Sequence, residues 1–125
     1  MLKDFIIVGI GSFFGGGMRF LVAKAMQMFT TVSFPLGTFA VNVLGCFLIG
    51  FLSGLPLHSN YVSPTTRLLL ITGFCGSFTT FSTFMHDSTT LLKGEHFIML
   101  FLYLVASFVV GLALVFVGNA VAKLL

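Results

Sequence analysis

"GFCGSFTTFSTF", residues 73–84, holds two glycines, five serine or threonine hydroxyls and four phenylalanines, and no charge. Glycine lowers helix propensity. Serine and threonine side chains offer the backbone partners outside a helical ladder. The stretch therefore predicts a helix interrupted near residues 76–80, with a continuous helix packed through its glycines as the alternative. The fold depends on where such an interruption sits, so the surroundings decide it.

Those surroundings are apolar. Hydrophobic residues make up 58% of the 125-residue chain, charged residues only 7%, and the mean hydropathy is +1.15. A soluble domain has about a quarter of its residues charged, so this composition is that of a membrane protein. The length allows a single domain, residues 1–125. The formal net charge of +3 is too small and too scattered to suggest nucleic acid. Cys46 and Cys75 lie in apolar runs without a C-x-x-C motif or a cysteine–histidine cluster. They read as small buried residues rather than metal ligands.

A membrane-spanning helix needs about 20 mostly apolar residues. Four stretches qualify: 5–28, 36–57, 67–92 and 97–122. The first also resembles a signal peptide, with Lys3, an apolar run and "AKA" at 23–25. Arg19 interrupts that pattern and apolar character continues past it, so a retained helix is expected. "FTTVSFP" at 29–35 and "PLHSNYVSPTT" at 56–66 read as loops, and "KGEH" at 93–96 as a tight turn around Gly94. Short loops make successive helices antiparallel and put both termini on one side. Lys3, Arg67 and Lys123 then face Arg19, Lys24 and Lys93 across the membrane. Orientation follows the Lys/Arg bias of short loops, and here neither side wins. Such a chain is expected to insert both ways.

"GIGSFFGGG" at 9–17 resembles a dinucleotide-binding loop, but that motif needs a preceding strand and an aqueous helix start. Close helix packing is the better reading: Gly11 and Gly15 form one G-x-x-x-G pair, Gly50 and Gly54 another. Arg19 lies deep in its span, and two readings stand, an anion-attracting vestibule and snorkelling to the interface. Asn42, alone in "GTFAVNVLG", must meet another helix, a backbone group or a pore, because an unpaired amide in lipid is costly. Tyr103, Ser107 and Gly111 are spaced by four and share a helix face. The two hydroxyls make a short polar track, unless Ser107 bonds locally to the carbonyl of residue 103. His86 and Asp87 have no nucleophile beside them, so a catalytic dyad is not expected.

"GGGMR" at 15–19, "GTFAVNVLG" at 37–45 and "GFCGSFTTFSTF" together resemble the Fluc (CrcB-type) fluoride channel family, in order, over nearly the whole chain. The resemblance implies an all-α membrane protein of four transmembrane helices, broken in the third, assembling as an antiparallel, dual-topology homodimer. It implies two fluoride pores per dimer and a structural sodium ion at the dimer centre. The sodium would be held by the backbone carbonyls of Gly76 and Thr79 from both subunits. Phe81 and Phe84 match the family's pore phenylalanines, Asn42 its pore asparagine and Arg19 its vestibule arginine. Ser82, Thr83, Tyr103 and Ser107 match its polar track. The expected setting is the bacterial plasma (inner) membrane, and the expected role is export of toxic cytoplasmic fluoride. Met85 and Asp87 depart from the family pattern, and Gly111 and Val115 supply no hydroxyl. The alternative reading is a small four-helix proton-coupled multidrug exporter. It needs a membrane-embedded carboxylate, and the first helix has only Asp4 at its start. Neither reading is an enzyme.

Overall fold

A computed structural model describes residues 1–29, 34–55 and 63–124. Most of the two expected loops, and the end of the second expected span, lie outside these residues. Regular structure among the described residues is all helical. The helices are α1 (Leu2–Gln27), α2 (Leu36–Gly54), α3 (Pro64–Arg67), α4 (Gly76–Phe78), α5 (Phe81–Lys93) and α6 (Phe97–Ala122). A π-helical stretch, Leu68–Cys75, joins α3 to α4. Counting Pro64–Lys93 as one span, four segments are long and apolar enough to cross a membrane. The chain is a multi-pass membrane protein.

Local chemistry sets the ends. Asp4 in the first turn of α1 and Lys24 in its last turn complement the helix dipole. Ser63 caps α3, its Oγ accepting from Thr66 N–H at 3.1 Å, and Pro64 follows it where no N–H is needed. Arg67 reaches back to α2, its Nη1 donating to the Leu52 carbonyl at 3.5 Å, near that helix's negative end. In the α5–α6 turn the left-handed residue is Glu95, with φ 60°, not Gly94 as the turn chemistry predicts. His96 N–H bonds to Leu91 O at 2.9 Å and Gly94 N–H to Thr90 O at 3.0 Å, which closes the end of α5.

Glycines let the helices approach. A Cβ at Gly11 would meet the Leu69 carbonyl, and one at Gly15 the Ser77 hydroxyl and the Phe74 carbonyl. The first G-x-x-x-G pair thus seats α1 on the π-helical stretch and α4, and Ser12 Oγ adds a bond to Gly73 O at 3.3 Å. The second pair seats α2 on α6: a Cβ at Gly50 would meet Val115, and one at Gly54 would meet Asn119. Gly118 faces Phe47 and Gly50 from the α6 side. The third span divides its contacts. Its first half packs on α1, and α5 packs on α6. The break between the halves is what permits this exchange of partners.

Candidate functional site

The break is two extended residues, Thr79 (φ −89°, ψ 157°) and Thr80 (φ −150°, ψ 122°). Asn42 holds it open from α2. Its Oδ1 accepts from Thr80 N–H at 2.8 Å and its Nδ2 donates to the Thr80 carbonyl at 3.1 Å. One amide side chain thereby replaces both helical bonds that Thr80 would otherwise make. Hydroxyls complete the termini on either side. Ser77 Oγ donates to Gly73 O at 2.9 Å and Thr79 Oγ1 to Cys75 O at 3.1 Å. Thr80 Oγ1 caps α5 by accepting from Thr83 N–H at 3.3 Å. This satisfies the rule that irregular backbone at membrane depth must be buried in protein or line a cavity.

It does line a cavity. A hollow of about 360 Å³ is bordered by Asn42, Gly45 and Cys46 of α2, by Thr79, Thr80, Phe81 and Phe84, and by Ser107 and Phe108 of α6. Among the described residues, no charged one borders it. Ser107 Oγ is buried and has no hydrogen-bond partner among the described residues, so the local bond to residue 103 is not formed. A buried hydroxyl without a partner is unusual in proteins, and this one borders a space large enough for a guest.

The expected site residues fall into groups. Asn42, Phe81, Phe84, Thr79 and Ser107 meet at the cavity. Phe81 is 70% exposed and Phe84 only 5%, with their ring centroids 6.3 Å apart. Tyr103 is fully buried behind this group. Its ring meets Phe84 edge-on at 4.9 Å and Phe34 at 5.5 Å, and its hydroxyl donates to Asp87 Oδ2 at 3.3 Å. Ser82 and Thr83 are exposed on α5 and do not border the cavity. Arg19 is half-buried on α1, also away from the cavity. Gly76 is exposed at the start of α4. Outside the expected set, Thr80 borders the cavity together with Gly45, Cys46, Ile49 and Phe108, and Asp87 pairs with Tyr103 behind it. The hydroxyl-rich composition around the break pointed to Thr80, but nothing local pairs Asp87 with Tyr103.

Gly76 and Thr79 can be tested as cation ligands. In an unbroken helix the Gly76 carbonyl would accept from Thr80 N–H, which Asn42 Oδ1 has taken instead. Its carbonyl is thus released from that bond, on an exposed residue. Carbonyl oxygens suit a hard cation. The donor set fits.

Four spanning segments, the third broken, and a hollow lined by hydroxyl, amide and aromatic groups at the break define a small multi-pass membrane protein with a polar feature at membrane depth. The chain belongs to the CrcB-like family, described as "CrcB-like protein, Camphor Resistance (CrcB)", which it matches over residues 6–119. It is similar to a protein of Chlorobaculum tepidum named "Fluoride-specific ion channel FluC", with 48% identity over 99% of this chain and 98% of that one. A protein of the same name from Chlorobium phaeobacteroides strain BS1 is 49% identical over 95% of this chain and 92% of its own length. "Fluoride-specific ion channel FluC 2" of Bacillus cereus is 39% identical over 94% of this chain and 95% of its own.

Proposed function

We propose that the chain is a fluoride-selective ion channel, not an enzyme, and that it releases cytoplasmic fluoride by passive permeation. One observation carries the reading: the cavity at the break offers donors and ring edges but no fixed charge, in a chain whose relatives are named fluoride-specific channels. Fluoride is strongly hydrated, so a path must replace part of its water. The Ser107 hydroxyl, without a partner of its own, is one donor. The Asn42 amide has a second N–H beyond the one given to Thr80. The edges of Phe81 and Phe84 carry partial positive charge. None of these would trap an anion as a bare cation would, and conduction needs binding weak enough to release.

The proposed assembly is an antiparallel homodimer with two pores. The charge balance supports it: Lys3, Arg67 and Lys123 on one side equal Arg19, Lys24 and Lys93 on the other, so neither orientation is favoured. In this reading Gly76 and Thr79 carbonyls of both subunits hold a structural sodium ion. When bound, that ion would supply a fixed positive field beside the paths. Arg19 serves as vestibule arginine, and Ser82, Thr83 and Tyr103 extend the polar track, Tyr103 by positioning Phe84 and Asp87. The exporter reading is not favoured: the carboxylate within the third span, Asp87, is engaged by the Tyr103 hydroxyl and does not border the cavity.

The test is anion efflux from liposomes holding the purified protein. Fluoride efflux far above chloride efflux, without a proton gradient, is the expected result. Equal rates for the two anions, or no flux, would remove the reading.

A further inference from the structure

α2 meets the break at two points one turn apart. Asn42 holds Thr80 through its amide. Gly45 lies one turn on along the same face, is buried, and receives the Thr79 side chain. A Cβ at Gly45 would collide with Thr79 Cγ2. The next atoms it would meet, Thr79 Cβ and Phe78 Cδ2, are 3.5 Å away, which is ordinary contact. The obstacle is therefore one methyl group. That methyl cannot swing aside cheaply. Threonine is stiff at χ1, and Thr79 Oγ1 is committed to Cys75 O at 3.1 Å. Turning the methyl away would break that bond, so a side chain at residue 45 would displace the Thr79 backbone instead.

The position of that backbone decides where two carbonyls point. Thr80 N–H, the helical donor for Gly76 O, is bonded to Asn42 Oδ1. Thr83 N–H, the helical donor for Thr79 O, is bonded to Thr80 Oγ1. The Thr79 carbonyl and the Thr80 N–H belong to one planar peptide. Asn42 fixes that plane at its N–H, and the packing of the Thr79 methyl on Gly45 fixes it at the Thr79 Cα. We infer that Gly45 is a positioning residue: its missing side chain seats the Thr79 methyl on the α2 backbone, and this seat, with the Asn42 bond, aims the Thr79 carbonyl. Its purpose rests on the sodium reading; its geometry does not.

The test is Gly45→Ala made in two backgrounds, wild type and Thr79→Ser. The serine removes the colliding methyl and keeps a hydroxyl for Cys75 O. In wild type, Gly45→Ala should lower fluoride efflux per folded protein about tenfold and weaken equilibrium binding of radioactive sodium by about the same factor. In the Thr79→Ser protein, the same change should alter either quantity by less than about twofold. Unaltered flux and sodium binding in Gly45→Ala, or equal losses in both backgrounds, would overturn the seat. A lowered thermal midpoint with sodium affinity and flux unchanged would reduce Gly45 to packing and overturn its positioning role. Should Gly45→Ala alone fail to assemble, assembly of the double variant becomes the readout. A folded double variant supports the seat, and an unfolded one beside folded Thr79→Ser overturns it. Absence of sodium binding in wild type, with the flux loss still confined to the wild-type background, would remove the sodium reading and leave the seat standing.

Discussion

Asn42 has two partners in one residue, and the cost of losing them sets its phenotype. Replacement by Leu strips Thr80 of both backbone partners at membrane depth, at about 1–3 kcal/mol for each group left unpaired. Asn42→Leu should therefore lower the thermal midpoint in detergent and abolish flux together. Asn42→Asp keeps an acceptor for Thr80 N–H but sets a carboxylate against the Thr80 carbonyl. It should also lose flux, through repulsion of the permeating anion and through distortion of the break. The two phenylalanines separate more cleanly. Phe81 projects into open space, whereas Phe84 packs in the cluster with Leu91 and Tyr103. If ring edges coordinate the anion, Phe81→Ile keeps apolar bulk, removes the positive edge, and gives a stable protein with strongly reduced fluoride flux. Phe84→Ile should reduce flux and also cost about 1–3 kcal/mol of stability, because the core cannot refill a ring's volume. A stable Phe81→Ile protein conducting like wild type would leave both rings as packing.

The helices meet where glycines repeat at a spacing of four, which makes their energetics positional. A Cβ at Gly50 would lie 2.8 Å from Val115 Cα, a backbone atom that cannot step aside. Gly50→Ala should push α2 from α6 and cost about 1–3 kcal/mol, read as a lowered thermal midpoint. A Cβ at Gly9 meets nothing within 4 Å. Gly9→Ala should match wild type or gain up to about 1 kcal/mol from helix propensity. Equal losses at the two positions would contradict the packing described. This level was largely legible in the sequence, because spacing fixes which residues share a helix face. The break was legible for a related reason: glycines and hydroxyls at membrane depth argue locally against a continuous helix. What composition could not supply was tertiary. The π-helical winding of Leu68–Cys75 is seen only with α1 seated on it, and the pairing of Tyr103 with Asp87 joins residues 16 apart on different helices. The left-handed turn residue falls on Glu95 although Gly94 stands beside it, because the carbonyls of Thr90 and Leu91 fix where α5 closes. The candidate site was legible as a set of residue types. Its division into cavity wall, buried support and outward face came only from the packing of α5 on α6.

A single protomer does not enclose its own cavity, and its four spans leave large apolar side chains outward along α1 and α6. Lipid accepts such faces, so apolar exposure alone does not demand a partner. Gly76, whose carbonyl has lost its helical partner at the break, and the polar residues Ser82, His86 and Thr89 of α5 are exposed on the protomer. An antiparallel second copy would close both, and it requires chains in both orientations. Exchanging sodium for a large organic cation on both sides should then weaken the dimer or its flux, since carbonyls would be left facing one another across the two-fold axis. The orientation requirement is tested separately. Lys3, Arg67 and Lys123 oppose Arg19, Lys24 and Lys93, which is a balance a few charges can tip. Reporters fused after Leu125 should signal from both sides of the membrane. Adding lysines at the C-terminal end should drive the termini to the cytoplasm, and adding them to the α5–α6 turn should do the reverse. Each biased chain expressed alone should lose fluoride efflux, and the two expressed together should regain it. A biased chain that conducts normally alone, with its reporter on one side only, would show that the working channel has no need of opposed copies.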